Sequence, residues 1–214
     1  MTDVRICIPF GHDFEHAKSG LRDLKHLGEA RRSDVFKYAG YNFDIEPRHS
    51  SPDMAAIRND LLTDNKRDLL NYDFFFFVDS DIVWKIKDLL KLLKHNTELC
   101  CAPYLRRSGG EYCCGRWDGD TYTGKAFKPT ETGFKLISFT GAGFLLIAKH
   151  ALEKMPYPYF RNILYKHPEG GLDQLSEDYS FCAMAKEAGL RIWCDFDINI
   201  VHKPKKPVPG DWVI

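Results

Sequence analysis

Aspartates separated by one residue occur three times in this chain of 214 residues: at Asp79 and Asp81, at Asp118 and Asp120, and at Asp195 and Asp197. Two carboxylates so placed can close on one divalent cation, since hard cations prefer oxygen ligands; left unpaired, they repel each other and raise a pKa. Context separates the three pairs. Asp118-Gly-Asp120 has the Asp-Gly chemistry of a hairpin turn. In RIWCDFDINIVH (191–202), strict alternation puts Ile192, Cys194, Phe196, Ile198 and Ile200 on one face and predicts that Asp195 and Asp197 share the opposite, solvated face. Asp79 and Asp81 instead end FFFFV, a run apolar at every position, as a strand buried on both faces must be. Such a strand meets solvent at its ends, and open α/β sheets bind ligands at the carboxyl ends of their strands. The competing reading of this pair is capping of the helix that follows. Continued alternation along the last strand puts His202 in phase with the apolar face at the strand's end, a candidate third ligand or a satisfied core histidine. Nitrogen beside carboxylates favours manganese over magnesium or calcium.

The elements that must position these residues can be read from periodicity. VRICIPF is a short apolar strand closed by Pro9, a polar helix-leaning segment runs from about Phe14 to Arg32, and YNFDIEP is a second strand. Ser51 as cap and Pro52 as first helical residue open a helix through AAIRNDLL. After the phenylalanine strand, Ile86, Leu89, Leu90 and Leu93 fall on one face of a helix. This alternation of strand and helix predicts a parallel sheet covered on both faces. ELCCAPYL, EYCCGRW, FKLISF and GFLLIAK read as further strands with glycine-rich turns, which makes the sheet mixed; a helix with Phe181, Met184, Ala185 and Ala188 on one stripe follows and stops at Gly189. Residues 1–203 form the predicted domain. KPKKPVPGDWVI ends it, with 204–214 read as a tail or a linker to a further domain.

Composition excludes several classes. Net charge is zero, so nothing draws the chain generally to nucleic acid or anionic membranes. No apolar run approaches the roughly 20 residues of a membrane span, and the N-terminus lacks signal-peptide organisation. A soluble, cytoplasmic protein is expected. The seven cysteines include the pairs Cys100-Cys101 and Cys113-Cys114, which lack the spacing of zinc ligands and read better as buried free thiols in a reducing compartment.

Four landmarks together resemble GT-A-type glycosyltransferases, nucleotide-sugar-dependent enzymes built on one mixed α/β sheet, and they span nearly the whole chain. CIPFG resembles the uridine-binding loop. AAIRND resembles the Arg-Asn helix about twenty residues before the metal motif. FFFFVDSDIVW resembles the Asp-x-Asp strand, and TGAGFLLI with SEDYSFCAMAKEAGLRIWCDFDINIVH resembles the donor-sugar strand, the Glu-Asp helix and a terminal metal-binding histidine. Soluble enzymes of this kind are encoded by bacteria and by large chlorella viruses, and the chain resembles the latter most, which would place it in host cytoplasm. The resemblance implies a UDP-sugar donor, a glycan hydroxyl acceptor and Mn2+, with Mg2+ the alternative. It implies that Asp81 and His202 hold the metal, with Asp79 on the ribose or reaching the metal through water, and that Ser80, Pro9, Phe10 and Arg58 line the nucleotide site. Gly141, Ala142 and Gly143 would let the backbone approach the sugar. Asp178 would be the base of an inverting reaction, with Glu177 beside it at a helix start, where the dipole favours carboxylates.

The aromatic stretch 155–175 has no predicted element and ends in Gly170 and Gly171; a lid with Tyr157, Tyr159 or Phe160 stacking on sugar is expected. Three rival readings stand beside the transferase. A haloacid-dehalogenase-type phosphatase would use Asp79 as nucleophile, but SED does not follow a strand as that family requires. A sugar-1-phosphate nucleotidyltransferase would need a glycine-rich basic loop where PFGHDFEHAKSG stands. An inactive nucleotide-sugar-binding module is the third.

Overall fold

The computed structural model describes residues 1–10, 35–49, 53–119 and 121–203. The expected helix from Phe14 to Arg32, the Ser51–Pro52 start signal, Asp120, the tail 204–214 and the side chain of Phe10 lie outside the described residues. The chain opens with β1 (Thr2–Phe10), β2 (Val35–Tyr38), β3 (Tyr41–His49), α1 (Met54–Leu62) and β4 (Phe74–Val78). A two-residue β5 (Ile82–Val83) leads to α2 (Ile86–His95), then β6 (Leu99–Cys101), β7 (Cys114–Trp117) and β8 (Gly124–Ala126). Next come β9 (Phe134–Ile137), β10 (Phe139–Thr140), β11 (Phe144–Ala148), α3 (Lys149–Leu152) and β12 (Ile163–Lys166). The last elements are β13 (Leu172–Leu175), α4 (Glu177–Glu187), β14 (Ile192–Asp195) and β15 (Val201–His202).

Eight strands form one sheet in the order β2-β3-β1-β4-β11-β6-β14-β9. The first three predicted strands, β1, β3 and β4, are parallel neighbours, and β6 runs parallel to β14. β2, β11 and β9 run against their neighbours. The sheet is therefore mixed, and β7, β8 and β10 form a separate three-stranded sheet. β4 lies in the interior of the large sheet, and its unbroken apolar run follows from that position. Phe75 and Phe77 enter the core layer that holds Ile57 and Leu61 of α1 and Phe181 and Met184 of α4. Phe76 and Val78 enter the opposite layer, with Ile86, Leu89 and Leu92 of α2. Each such burial contributes roughly 2–3 kcal/mol. All seven cysteines are free; six are buried and Cys113 is half-buried.

Four expectations need correction. α1 is capped by Asp53, whose Oδ1 accepts from the N–H of Ala56 at 3.1 Å. On α2, Leu92 is buried and Leu90 only half-buried, because the stripe follows the sheet's surface and not the first spacing that fits. The final segment is not one strand: β14 stops at Asp195, which is 1% exposed instead of lying on a solvated face. Asp195 accepts from Lys91 Nζ at 2.9 Å and from the N–H of Asp197 at 3.0 Å, and it lies 2.7 Å from His95 Nε2. A side chain that takes a nearby backbone N–H in this way competes with the ladder and breaks the strand. Finally, stretch 155–175 is not structureless. Tyr159 and Phe160 belong to the core, Phe160 stacking on Phe181 at 4.8 Å between ring centres. Asn59 clamps the Phe160 backbone through Nδ2 to its carbonyl (2.7 Å) and through Oδ1 to its N–H (3.1 Å). β12 and β13 then form an antiparallel hairpin, with Gly170 and Gly171 at positive φ in its turn. These two rings are thus used for packing, not for stacking on a sugar.

Candidate functional site

Asp79, Ser80 and Asp81 follow the carboxyl end of β4, where the chain reverses through a bond from the N–H of Ile82 to the carbonyl of Asp79 (3.0 Å). β5 then pairs antiparallel with β15, Val83 facing Val201 and Ile82 facing His202, and the N–H of Lys203 bonds the carbonyl of Asp81 at 2.8 Å. This short pairing brings residues far apart in sequence together: His202 Nε2 stands 3.2 Å from Asp81 Oδ2. His202 Nδ1 lies 2.9 Å from the carbonyl of Leu105, which can only accept, so Nδ1 carries the proton and Nε2 faces the carboxylate. The hydrogen bond with Asp81 raises the His202 pKa above 6.5 against the effect of burial. Burial works to raise the Asp81 pKa, but His202 and Arg107 outweigh it and hold the carboxyl below its ordinary range. Neither aspartate caps α2, because the N–H of Lys85 takes Asp88 Oδ2 instead (2.8 Å).

The two carboxylates are not unpaired, as the sequence suggested, because each has an arginine. Arg58, 3% exposed, bonds Asp79 Oδ1 at 3.1 Å and the carbonyl of Ala142 at 3.4 Å, and its Nε lies 3.6 Å from Glu177 Oε1. Burial disfavours its charge, yet Asp79, Glu177 and Asp178 together raise its pKa. Arg58 is therefore an interior residue that ties α1 to the end of β4 and to the start of α4. Arg107 Nη2 lies 2.6 Å from Asp81 Oδ2.

Gly141, Ala142 and Gly143 precede β11, with the carbonyl of Gly143 accepting from the N–H of Asp79 at 3.0 Å. A Cβ on Gly143 would lie 2.7 Å from Tyr104 Oη and 2.8 Å from Asp79 Oδ2, and one on Gly141 only 2.2 Å from Tyr104 Oη. Close approach is indeed the reason for these glycines, but the group that approaches is Tyr104, whose hydroxyl accepts from the N–H of Gly143 (2.9 Å). Ala142 is buried. Pro9 is buried near the carboxyl end of β1, two residues beyond Cys7, which pairs with Phe77 of β4. Glu177 and Asp178 form the first turn of α4 behind Ser176, whose hydroxyl bonds Asp178. Burial and the neighbouring Asp178 raise the Glu177 pKa above 4.5, with Arg58 opposing.

Among the described residues, no group of three or more His, Cys, Asp or Glu side chains is placed to hold a metal ion. Asp79 turns to Arg58, leaving Asp81 and His202 as a pair. That pair suits a cation that takes its other ligands from phosphate and water, as Mg2+-like ions commonly do. Its imidazole is oriented from behind by a backbone carbonyl, the usual arrangement of a ligating histidine. Tyr104, Arg107 and Arg106, which donates to Tyr179 Oη at 3.2 Å, were missed in the sequence, although YLRRSGGEY after a strand offered a basic loop with a glycine tip.

No known protein-family model matches the chain, and no curated protein matches it. Solved structures share its fold, A197 from STIV and GalNAc-T7 among them. A197 from STIV has a TM-score of 0.56 at 16% identity, over 97% of both chains. GalNAc-T7, crystallised with UDP, GalNAc and Mn2+, has a TM-score of 0.54 at 12% identity. The fold is GT-A-like. The chain is matched over 97% of its length but spans only 44% of the GalNAc-T7 chain, so the likeness is to one part of that protein. Within this GT-A-like fold no described helix is long and apolar enough to cross a membrane.

Proposed function

We propose that the chain is a metal-dependent glycosyltransferase that moves a sugar from a UDP-sugar to a hydroxyl of a glycan acceptor. The observation that carries this reading is the Asp81–His202 pair at the carboxyl end of an interior strand. Its setting, a sheet similar to that of GalNAc-T7 with its UDP and Mn2+, supports it. Asp81 and His202 would hold Mn2+, or Mg2+ in its place, and Asp79 would reach the metal through water or bind the ribose. Bound there, the cation supplies Lewis-acid neutralisation of the charge that develops on the departing diphosphate. Arg58 fixes Asp79 and Glu177 relative to each other, so the donor and acceptor sides of the site share one buried guanidinium. Pro9 and Ser80 line the nucleotide side, and Gly141, Ala142 and Gly143 the sugar side behind Tyr104. Asp178 accepts the acceptor hydroxyl's proton in an inverting reaction. Glu177, with its raised pKa, holds the sugar or acceptor hydroxyls. Residues 1–203 are read as the transferase unit. Neutral net charge supports an enzyme without nucleic acid partners, and a cytoplasmic location is part of the same reading. An origin in a large chlorella virus, with action in host cytoplasm, completes the proposal.

The test is purified protein with Mn2+ and a panel of UDP-sugars, scored for UDP release. Metal-dependent release that disappears in Asp81→Ala supports the transferase. Phosphate release from simple monoesters without nucleotide would overturn it in favour of a phosphatase. Nucleotide binding without turnover across donors and glycan acceptors would leave a binding module.

A further inference from the structure

Arg58 and Arg107 both neutralise a carboxylate of the Asp79–Asp81 pair, but they are built differently. The Arg58 side chain is 4% exposed and has a second carboxylate and a carbonyl as partners, whereas the Arg107 side chain is 55% exposed and, among the described residues, is ion-paired with Asp81 only. Arg107 stands on a loop closed by the Leu105–Tyr112 bridge and by the bond from the N–H of Arg106 to the carbonyl of Glu111 (2.9 Å). Gly109 and Gly110 form the tip at positive φ. The base of that loop is fixed independently, since the carbonyl of Leu105 holds His202 Nδ1. The Arg107 side chain can therefore leave Asp81 without disturbing the histidine. Its guanidinium contacts Asp81 Oδ2, the same oxygen that faces His202 Nε2. A cation bridging Asp81 and His202 would have to take the place of Arg107 there, and the two positive charges would repel at short range.

We propose that Arg107 is a placeholder: it neutralises Asp81 before the cation arrives, is displaced by it, and then pairs with the diphosphate of the donor. This rests on the transferase reading above. A guanidinium offers two parallel N–H donors that match phosphate oxygens, and an exposed arginine beside the metal-binding carboxylate is within a side chain's swing of the leaving group. The consequence is positive coupling. Cation alone binds weakly because it must displace an ion pair, and it binds better with nucleotide, which gives the released arginine a new partner; by linkage the effect is reciprocal.

Free Mn2+ is counted by electron paramagnetic resonance during titration of the full chain, with and without UDP. Arg107→Gln is expected to bind Mn2+ alone about tenfold tighter than wild type, and the gain in Mn2+ affinity caused by UDP is expected to shrink about tenfold. Arg107→Lys keeps the charge and should retain most of the wild-type coupling, whereas Asp81→Ala should lose Mn2+ binding under both conditions. Unchanged or weaker Mn2+ binding in Arg107→Gln overturns the placeholder role and leaves the transferase reading standing. Absence of Mn2+ binding by both wild type and Arg107→Gln overturns the metal-dependent reading together with the placeholder.

Discussion

At Gly143 the space for a methyl group is already taken, by Tyr104 Oη and Asp79 Oδ2. The alanine variant must push one of them away, and Asp79, half-buried, gives more easily than the buried Tyr104. Gly143→Ala is therefore expected to lower UDP release about a hundredfold while costing only about 1–2 kcal/mol of stability, the usual cost of modest overpacking. Comparing turnover with urea denaturation midpoints checks it; equal loss in both would mean that the site merely unfolds. Arg58 should behave in the opposite way. Arg58→Met leaves Asp79 and Glu177 facing each other without their shared cation, and since both keep some access to water, about 2–3 kcal/mol of stability should be lost with activity. The sequence singled out Asp79 and Asp81 because the end of a buried strand is a local signal, whereas the place of His202 3.2 Å from Asp81 comes from the β5–β15 pairing. It could not reveal that Arg58 is spent on Asp79 and Glu177 or Arg107 on Asp81, since those pairings join residues that only the folded sheet brings together.

At the scale of elements, long periodic segments were legible and short ones were not. β4 and the helices α1, α2 and α4 announce themselves by runs and stripes. β5 and β15 have two residues each and no period to read, yet their pairing places His202 against Asp81. Alternation misread Asp195 because a carboxylate can end its own strand. Its partners Lys91 and His95 lie one turn apart in the C-terminal half of α2, so the broken strand also docks that helix. Burial would raise the Asp195 pKa, but hydrogen bonds from His95 and Lys91 lower it below its ordinary 3.8. A carboxyl depressed in the folded state contributes stability that is complete above the unfolded value and is lost as pH falls through the folded value. Asp195→Ala should thus be about 2 kcal/mol less stable than wild type at neutral pH, and the gap should narrow only below pH 3.8. Urea titrations of both proteins across that range decide it; a gap independent of pH would mean that the loss comes from packing.

Across the whole molecule, the site gathers α1, the end of β4, the 104–107 loop, the glycines before β11, the start of α4 and finally β15, all at one end of the parallel strands. A mixed sheet followed from patterns of hydrophobicity, but its strand order and the convergence of these loops depend on pairings and registers that no single segment encodes. β15 is the last piece added, and it is peripheral to the core: Val201 is 47% exposed, whereas Ile198 and Ile200 just before it are buried. Folding and site assembly should then be separable. A chain ending at Ile200 keeps both core layers and loses the short pairing with β5, a cost of about 1–2 kcal/mol from a few exposed hydrogen bonds, or roughly 2–8 °C in melting temperature for a chain of this size. Its Mn2+ affinity, by contrast, should fall as far as that of His202→Ala, because both lack the imidazole opposite Asp81. Melting curves and Mn2+ titrations of the truncated chain and the point variant make the comparison. If the truncated chain fails to fold cooperatively, β15 belongs to the core and not to the site; if it binds Mn2+ like wild type, the histidine is not a ligand.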